Sequence, residues 1–449
     1  MEANQAASLY SASTELCADA IACHPHMSGL FALGTYEVTQ AEAAQERGGE
    51  AEKQQEEADD QAEAASASTS PQYSRRGQVS LHRLLGSDDK VECERLDMHS
   101  GPAVLDMAWA PRSSGFALLA AEATSSISLR PLSFSSTSTT PSFGAPQQRT
   151  MNTRRALVLS LDLSSRKPGL AEAQEQHGDA KLLISQSDGS LAYLPSLSAA
   201  FEDDGSAGRQ AEETPRADSR VAAAAESDDE DDDADEETLA AHAALNAAFA
   251  GRPRGLETWA AHGHEAWIAA WDCWSDGTVG WSGGDDLQMR GWDMRMPNAS
   301  AGRQATFINK RSFDGGVTAM QSSHLRQHLW AVGSYDGSIR LFDARNPLRP
   351  LSSTNVGGGV WRVKWHPFDA SRLLLGTMHD GFKILTLPVG TEQGQLPPRE
   401  EMHIVRRFDA HESLAYGCDW DREAPEAEQT QSRVVSCSFY DRRLHVWRG

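Results

Sequence analysis

The sequence predicts an all-β chain, a seven-bladed WD-repeat β-propeller broken by long disordered insertions. Two observations carry that prediction: a turn-and-strand phrase that recurs along the chain, and three polar stretches between the repeats that cannot pack. The phrase is an apolar strand, a tight turn carrying Asp, and a second strand that ends six residues after the Asp. Asp286 is followed at that distance by Trp292, Asp336 by Phe342 and Asp441 by Trp447, while Asp188 and Leu194 form a weaker copy. Such self-similarity marks an array in which each unit buries its apolar face on the next. Seven units of roughly 40–45 residues need about 300 residues, so much of the 449-residue chain is expected to be insertion.

The blades can be taken in order. The first uses Ala20 to Tyr36 and resumes at Gln78 to Leu84. The second runs from Ala103 to Leu132, where Val104 to Trp109 and Ile127 to Leu129 alternate as half-buried strands do. The third covers Ala156 to Leu194, the fourth Trp259 to Arg295, the fifth Phe307 to Arg345, the sixth Gly357 to Leu387 and the seventh His403 to Gly449. Ring closure is expected from Leu9 to Thr14 joining the last blade, because an open sheet edge is a liability. The insertions are 41–71 (Ala, Glu and Gln), 133–150 (Ser, Thr and Pro) and 200–255, which is Ala-rich and most acidic from Glu226 to Asp233. They offer too little apolar surface to offset the entropy of ordering, so all three are expected to be disordered.

The turn Asp residues are read as structural, since a buried carboxylate must be satisfied. His262 or His264 is expected to serve Asp286, and His411 to serve Asp441. Trp365-His366-Pro367 looks like a fragment of an active site. It is echoed by Cys23-His24-Pro25 and Trp109-Ala110-Pro111, so it is read as a turn between blade strands.

Bulk properties exclude several classes. The net charge of −23 argues against nucleic acid or an anionic membrane as partner, since both need clustered Lys and Arg. No apolar run is long enough to span a bilayer, and Met1 to Gln5 lacks a basic n-region, so no secretory signal is expected. The six cysteines form no C-x-x-C pair, which fits a reduced, cytoplasmic compartment. No zinc site, other metal or cofactor is expected, and the chain is expected to be a monomer.

Several phrases exceed the generic repeat: Glu265-Ala266-Trp267-Ile268, Ser282-Gly283-Gly284-Asp285-Asp286, Gly358-Gly359-Val360-Trp361-Arg362-Val363-Lys364-Trp365, Met378-His379-Asp380-Gly381, Ser413-Leu414-Ala415-Tyr416 and Cys437-Ser438-Phe439-Tyr440-Asp441. In this order they resemble the diphthine methylesterase family, closely from about Trp259 onward and more loosely before it. The resemblance implies hydrolysis of the methyl ester of methylated diphthine, a modified histidine of elongation factor 2, to diphthine and methanol. It would be a step of diphthamide biosynthesis.

The chain carries no G-x-S-x-G elbow and no H-E-x-x-H, so a site must be assembled across blades. Ester hydrolysis needs an activated water or a nucleophile, a base, and donors for the oxyanion. The trimethylammonium of the implied substrate suits aromatic faces beside a carboxylate. The candidates are His379 or His411 as general base, Arg362 as contact to the oxyanion or carboxylate, and Glu265 as a further polar residue at a blade opening. Trp267, Trp361 and Tyr416 are the candidate cation cage, with Asp285 the freer carboxylate beside Asp286. So acidic a chain must approach its protein substrate through local complementarity, and binding is expected to weaken with salt.

A competing reading is a non-catalytic adaptor. Trp292-Asp293-Met294-Arg295 and Phe342-Asp343-Ala344-Arg345 resemble the W-D-x-R box of substrate receptors of cullin-type ubiquitin ligases, in which Arg295 and Arg345 would contact the ligase adaptor subunit.

Overall fold

Seven antiparallel sheets stand in a ring, and the innermost strand of each touches the innermost strands of its neighbours. These strands are Ala18–Cys23, Val104–Arg112, Val158–Leu163, Ile268–Trp271, Val317–Ser322, Arg362–Trp365 and Ala415–Trp420, in blades 1 to 7. The structure is a computed structural model. It describes residues 3–40, 73–86, 90–113, 115–134, 140–152, 156–166, 179–201, 252–299, 302–387, 402–423 and 431–449.

Closure occurs where it is expected. Ser8–Ser13 pairs antiparallel with Arg443–Arg448 and forms the outer strand of blade 7. Asn4–Gln5 adds a short parallel strand to blade 6, beside His403–Phe408.

The blade boundaries differ from the sequence reading by one strand. Glu257–Ala260, which holds Trp259, pairs with Ser190–Leu194 and closes blade 3. Phe307–Asn309 closes blade 4, and His403–Phe408 closes blade 6. Each of these strands opens a sequence repeat but belongs to the preceding sheet. Each pairs antiparallel with the third strand of that sheet, whatever the length of the connection between them: Met289–Asp293 and Phe307–Asn309 are 13 residues apart, and Ser190–Leu194 and Glu257–Ala260 are separated by the third insertion. Only then does the chain cross to the channel to begin a new blade.

The insertions also divide. Within 133–150, Pro141–Phe143 and Gln147–Thr150 are strands on the outer edge of blade 2, which corrects the expectation of disorder there. Ladder hydrogen bonds need no apolar side chain, and Phe143 anchors the edge by packing near Trp109. Residues 41–71 lie outside the described residues, as do 202–251 of the third insertion. Its first residues, Ala200 and Phe201, are buried at the end of the helix Leu197–Phe201.

Apolar clusters lie between blades. Trp281 stacks on Trp330 at 4.2 Å, joining blades 4 and 5, and Phe408 stacks on Trp447 at 4.8 Å, joining blades 6 and 7. In blade 4, His262 Nδ1 lies 2.9 Å from Asp286 Oδ1 and its Nε2 lies 2.7 Å from the Ser282 hydroxyl, to which Trp292 Nε1 donates at 2.8 Å. His262, not His264, therefore serves Asp286. Gly284 permits this, since a Cβ there would stand 2.6 Å from His262 Nδ1. Blade 7 repeats the chain with His411, Ser436 and Trp447, and His411 Nδ1 reaches the Ser438 hydroxyl 2.5 Å away and Asp441 at 3.9 Å. His366 behaves as a turn residue: its Nδ1 accepts backbone N–H bonds from Phe368 and Asp369.

Candidate active site

At one mouth of the channel the innermost strands begin, and several begin irregularly. Register shifts fall between Ala18 and Ala20, Val104 and Asp106, Val158 and Ser160, Val317 and Ala319, and Ala415 and Cys418. A bulge leaves one residue unpaired and re-aims its side chain. In five blades the ladder thus skips a position at the same level, with Asp19 and Tyr416 among the residues left out of it. In the other two blades that level holds Trp267 and Trp361, each just before its strand.

The entry loops and the Asp-bearing turns are tied together at this mouth. Asp285 N–H donates to the Glu265 carbonyl at 2.9 Å, and Tyr335 N–H to the Gly316 carbonyl at 2.9 Å. The result is an aromatic belt across four blades. Trp267 lies 5.6 Å from Trp361 and 6.0 Å from Tyr335, at interplanar angles of 64° and 88°. Trp361 stacks on Tyr416 at 5.0 Å, and Tyr416 leads to Phe439 at 5.4 Å.

The three candidate cage residues are therefore brought together, but not as a simple box. The Trp361–Tyr416 stack leaves no room for a trimethylammonium between its two faces. The part of the belt that stands beside a carboxylate is instead the corner made by Trp267 and Tyr335, which meet edge to face and are half-buried. Asp285 belongs to it: its Oδ1 accepts the Trp267 indole N–H at 3.2 Å. Gly316 makes the corner possible, since a Cβ there would stand 2.4 Å from Asp285 Oδ1 and 3.1 Å from the Tyr335 ring. Asp285 is exposed and Trp267 and Tyr335 are half-buried. In the sequence Tyr335 stands before the turn Asp336 as Tyr440 stands before Asp441, a repeat position that carries no functional signal. Its place opposite Trp267 arises only when blades 4 and 5 meet.

Arg362 also reaches the mouth. Its guanidinium crosses from blade 6 to blade 2, donating to the Leu105 carbonyl at 2.7 Å, with Asp106 at 3.9 Å. It stands 5.9 Å over the Trp361 ring. Trp361 thus connects the aromatic corner to the cation, and its own indole N–H is buried without a hydrogen-bond partner. Below the mouth opens a channel cavity of about 390 Å³, lined there by Asp106, Trp361, Arg362 and Ile268.

The remaining candidates separate. Glu265 is half-buried in the loop entering blade 4. His379 is exposed in the turn of blade 6, next to Met378, which adopts φ +44°. His411 is not brought to the site. It is enclosed in the blade 7 network, and burial together with the neighbouring His445 holds its imidazole below the usual histidine range. A side chain with both ring nitrogens engaged inside a blade cannot serve a substrate in the channel, so its reading as general base is corrected.

Asp19, which sequence reasoning missed, is the unusual carboxylate of this mouth. It is 3% exposed, and its Oδ2 has no hydrogen-bond partner. Burial, opposed by Arg362 and reinforced by Asp106, pushes its carboxyl up to about 7. The other channel carboxylates are satisfied by backbone: Asp106 by Met107 and Leu161, Asp162 by Leu163 and Trp271, Asp419 by Cys23 and Trp420. Among the described residues no group of His, Cys, Asp and Glu is arranged to hold a metal ion, and no helix is long and apolar enough to cross a membrane.

The chain is similar to curated proteins named diphthine methyltransferase. Identity is 45% over 171 residues with the human protein, covering 38% of this chain and 35% of that one. It is 33% over 195 residues with a Dictyostelium discoideum homologue, covering 42% and 51%, and 26% over 220 residues with the Saccharomyces cerevisiae protein, covering 44% and 50%. The matched segment thus spans between a third and a half of the length of these relatives. No family model matches the chain. Among solved structures, a chain of the mitotic checkpoint complex aligns over 100% of this chain and 94% of its own length, with a TM-score of 0.54 and 12% identity, a likeness of fold alone.

Proposed function

We propose that this chain, which belongs to the diphthine methylesterase family, hydrolyses the methyl ester of methylated diphthine on elongation factor 2, giving diphthine and methanol. The relatives' names support a role in diphthamide biosynthesis. The observation that carries the reading is the pairing, at one channel mouth, of an aromatic corner holding a carboxylate with a guanidinium that is little engaged. Trp267, Tyr335 and Asp285 suit a quaternary ammonium, which binds to ring faces and is helped by a nearby negative charge. Arg362 suits the other end of the same side chain. It would polarise the ester carbonyl, receive the oxyanion, and then pair with the carboxylate formed. The diphthine side chain carries both groups, so one substrate would span both parts of the mouth.

The relatives are named for methyl transfer, and the reaction proposed here removes a methyl group. The two move the mass of the modified histidine in opposite directions, so mass spectrometry of elongation factor 2 carrying methylated diphthine, incubated with this chain, distinguishes them. Hydrolysis removes one methylene equivalent and releases methanol. We propose a cytoplasmic, monomeric protein, in keeping with a substrate that works in translation.

A second reading, an adaptor of a cullin-type ubiquitin ligase, is favoured by one observation. Arg295 and Arg345 are 69% and 62% exposed, each clamped by the Asp two residues before it, Asp293 and Asp343. They follow the third strands of blades 4 and 5 and so lie on the face opposite the aromatic mouth. Pull-down with a purified ligase adaptor subunit, using Arg295→Ala with Arg345→Ala as control, tests it.

A further inference from the structure

We propose that Asp19 is the general base of this site: it takes a proton from the water that attacks the ester carbonyl, while Arg362 receives the oxygen on which negative charge builds. The inference rests on the ester-hydrolysis reading and supplies the group that reading lacks, since His411 is enclosed in blade 7 and His379 stands exposed at a turn.

Three observations place Asp19 in this role. The first is position. It is the unpaired residue of the bulge that opens the innermost strand of blade 1, at the level of Tyr416 and Trp361. Its backbone lies against Gly417, where an added Cβ would stand 2.9 Å from the Asp19 carbonyl oxygen. Blade 7 therefore brings Tyr416 beside it. The second is hydrogen bonding. Asp106, Asp162 and Asp419 spend both carboxylate oxygens on backbone N–H groups, whereas Asp19 Oδ2 is buried with none. A buried polar atom left unsatisfied is destabilising, and such a cost calls for an explanation other than stability. The third is electrostatic. Arg362 acts on Asp19 from blade 6 and Asp106 from blade 2, while the buried Cys437 thiol of blade 7 faces it. Burial outweighs the arginine and lifts the carboxyl to about 7, where a base is half-ionised at neutral pH and well matched to proton transfer.

The step balances. The Asp19 carboxylate accepts one proton from water as the water oxygen bonds to the ester carbon, and the carbonyl electron pair moves to the oxygen facing Arg362. The tetrahedral species collapses by breaking the carbon–methoxy bond, and the protonated Asp19 returns its proton to the departing methoxide. Methanol leaves, and the new carboxylic acid ionises to pair with Arg362. Water is the only co-reactant that the step requires.

The test is the pH profile and turnover of the full chain on elongation factor 2 carrying methylated diphthine. Wild-type kcat/KM should rise with pH through a limb near 7 and level off above it, as the unprotonated base is formed. Asp19→Asn should lower kcat about 10²–10⁴-fold with KM little changed and the limb abolished, while Asp19→Glu should restore part of the rate. Asn removes the buried charge, so this variant is expected to fold. If it does not, a wild-type profile flat from pH 5 to 9 overturns the assignment without it. Full activity of Asp19→Asn with the limb intact also overturns it. Failure of the wild-type chain to demethylate a competent substrate is a different result, and it sinks the hydrolysis reading itself.

Discussion

Two arginines enter the central channel from opposite ends, and they are held in opposite ways. Arg166, at the far end of the innermost strand of blade 3, is saturated. It grips Asp162 with two nitrogens at 3.1 and 3.2 Å and donates to the carbonyls of Trp271 and Ser322 and to the Ser322 hydroxyl, so that blades 3, 4 and 5 are tied together. Arg362, at the start of the innermost strand of blade 6, makes one bond, to the Leu105 carbonyl, and keeps Asp106 at 3.9 Å. A guanidinium has five N–H donors. One end of the channel uses them to close the ring, and at the other most of them are not taken up by the described residues. The carboxylates differ in the same way, with Asp162 fully engaged beside Arg166 and Asp19 unsatisfied near Arg362.

If that contrast is functional, the two ends respond differently to substitution. Arg362→Ala is expected to lower kcat/KM about 10²–10³-fold, the usual consequence of removing one oxyanion donor, with the melting temperature nearly unchanged; steady-state kinetics beside a thermal melt checks both. Arg166→Ala should do the reverse. It leaves Asp162 without its cation and is expected to cost roughly 3–5 kcal/mol of stability, read by denaturant titration, while the folded fraction keeps its turnover. Equal losses of activity and stability in both variants would erase the distinction between the ends.

Smaller effects sharpen it. Trp267→Ala removes one wall of the aromatic corner and should raise KM by roughly 2–30-fold, corresponding to about 0.5–2 kcal/mol of cation–π attraction; kcat should change less. An uncharged isostere in place of the trimethylammonium should be insensitive to the same substitution. The smallest change is expected from Arg295→Ala with Arg345→Ala. These pairs are exposed and screened by solvent, so stability should barely change, and ester hydrolysis should be unaffected. Loss of hydrolysis with the fold intact would mean that the opposite face takes part in the reaction.

Much of the ring was legible in the sequence. The six-residue interval from Asp286 to Trp292 and from Asp441 to Trp447 is a consequence of turn and strand length, which are local, and the closing role of the segment around Leu9 follows from the need to cover an edge. Sheet membership was less legible. Trp259 opens a repeat yet closes blade 3, because its strand pairs with Ser190–Leu194 across the long third insertion, a pairing that no local pattern marks. The edge strands at Pro141 and Gln147 were hidden by their polar composition, since the ladder needs only backbone.

The grouping of the candidate residues was legible where chemistry alone selected them. Trp267, Trp361, Tyr416 and Asp285 do meet at one mouth, and Arg362 stands beside them. It was illegible where function depends on what neighbouring blades fail to supply. His411 had the right chemistry, but Ser436 and Ser438 engage its ring. Asp19 sits in an Ala-rich strand with no motif around it, and only the bulge and the missing donor distinguish it from a structural carboxylate.

The central claim is a reaction at the Arg362 mouth, and the mass of the modified histidine on elongation factor 2 tests it most directly. Incubation of the methylated diphthine form with the purified chain should remove one methylene equivalent and release methanol in equal amount, and Arg362→Ala should slow the change. An unchanged mass, or a gain of a methyl group, with folded protein and competent substrate would contradict it.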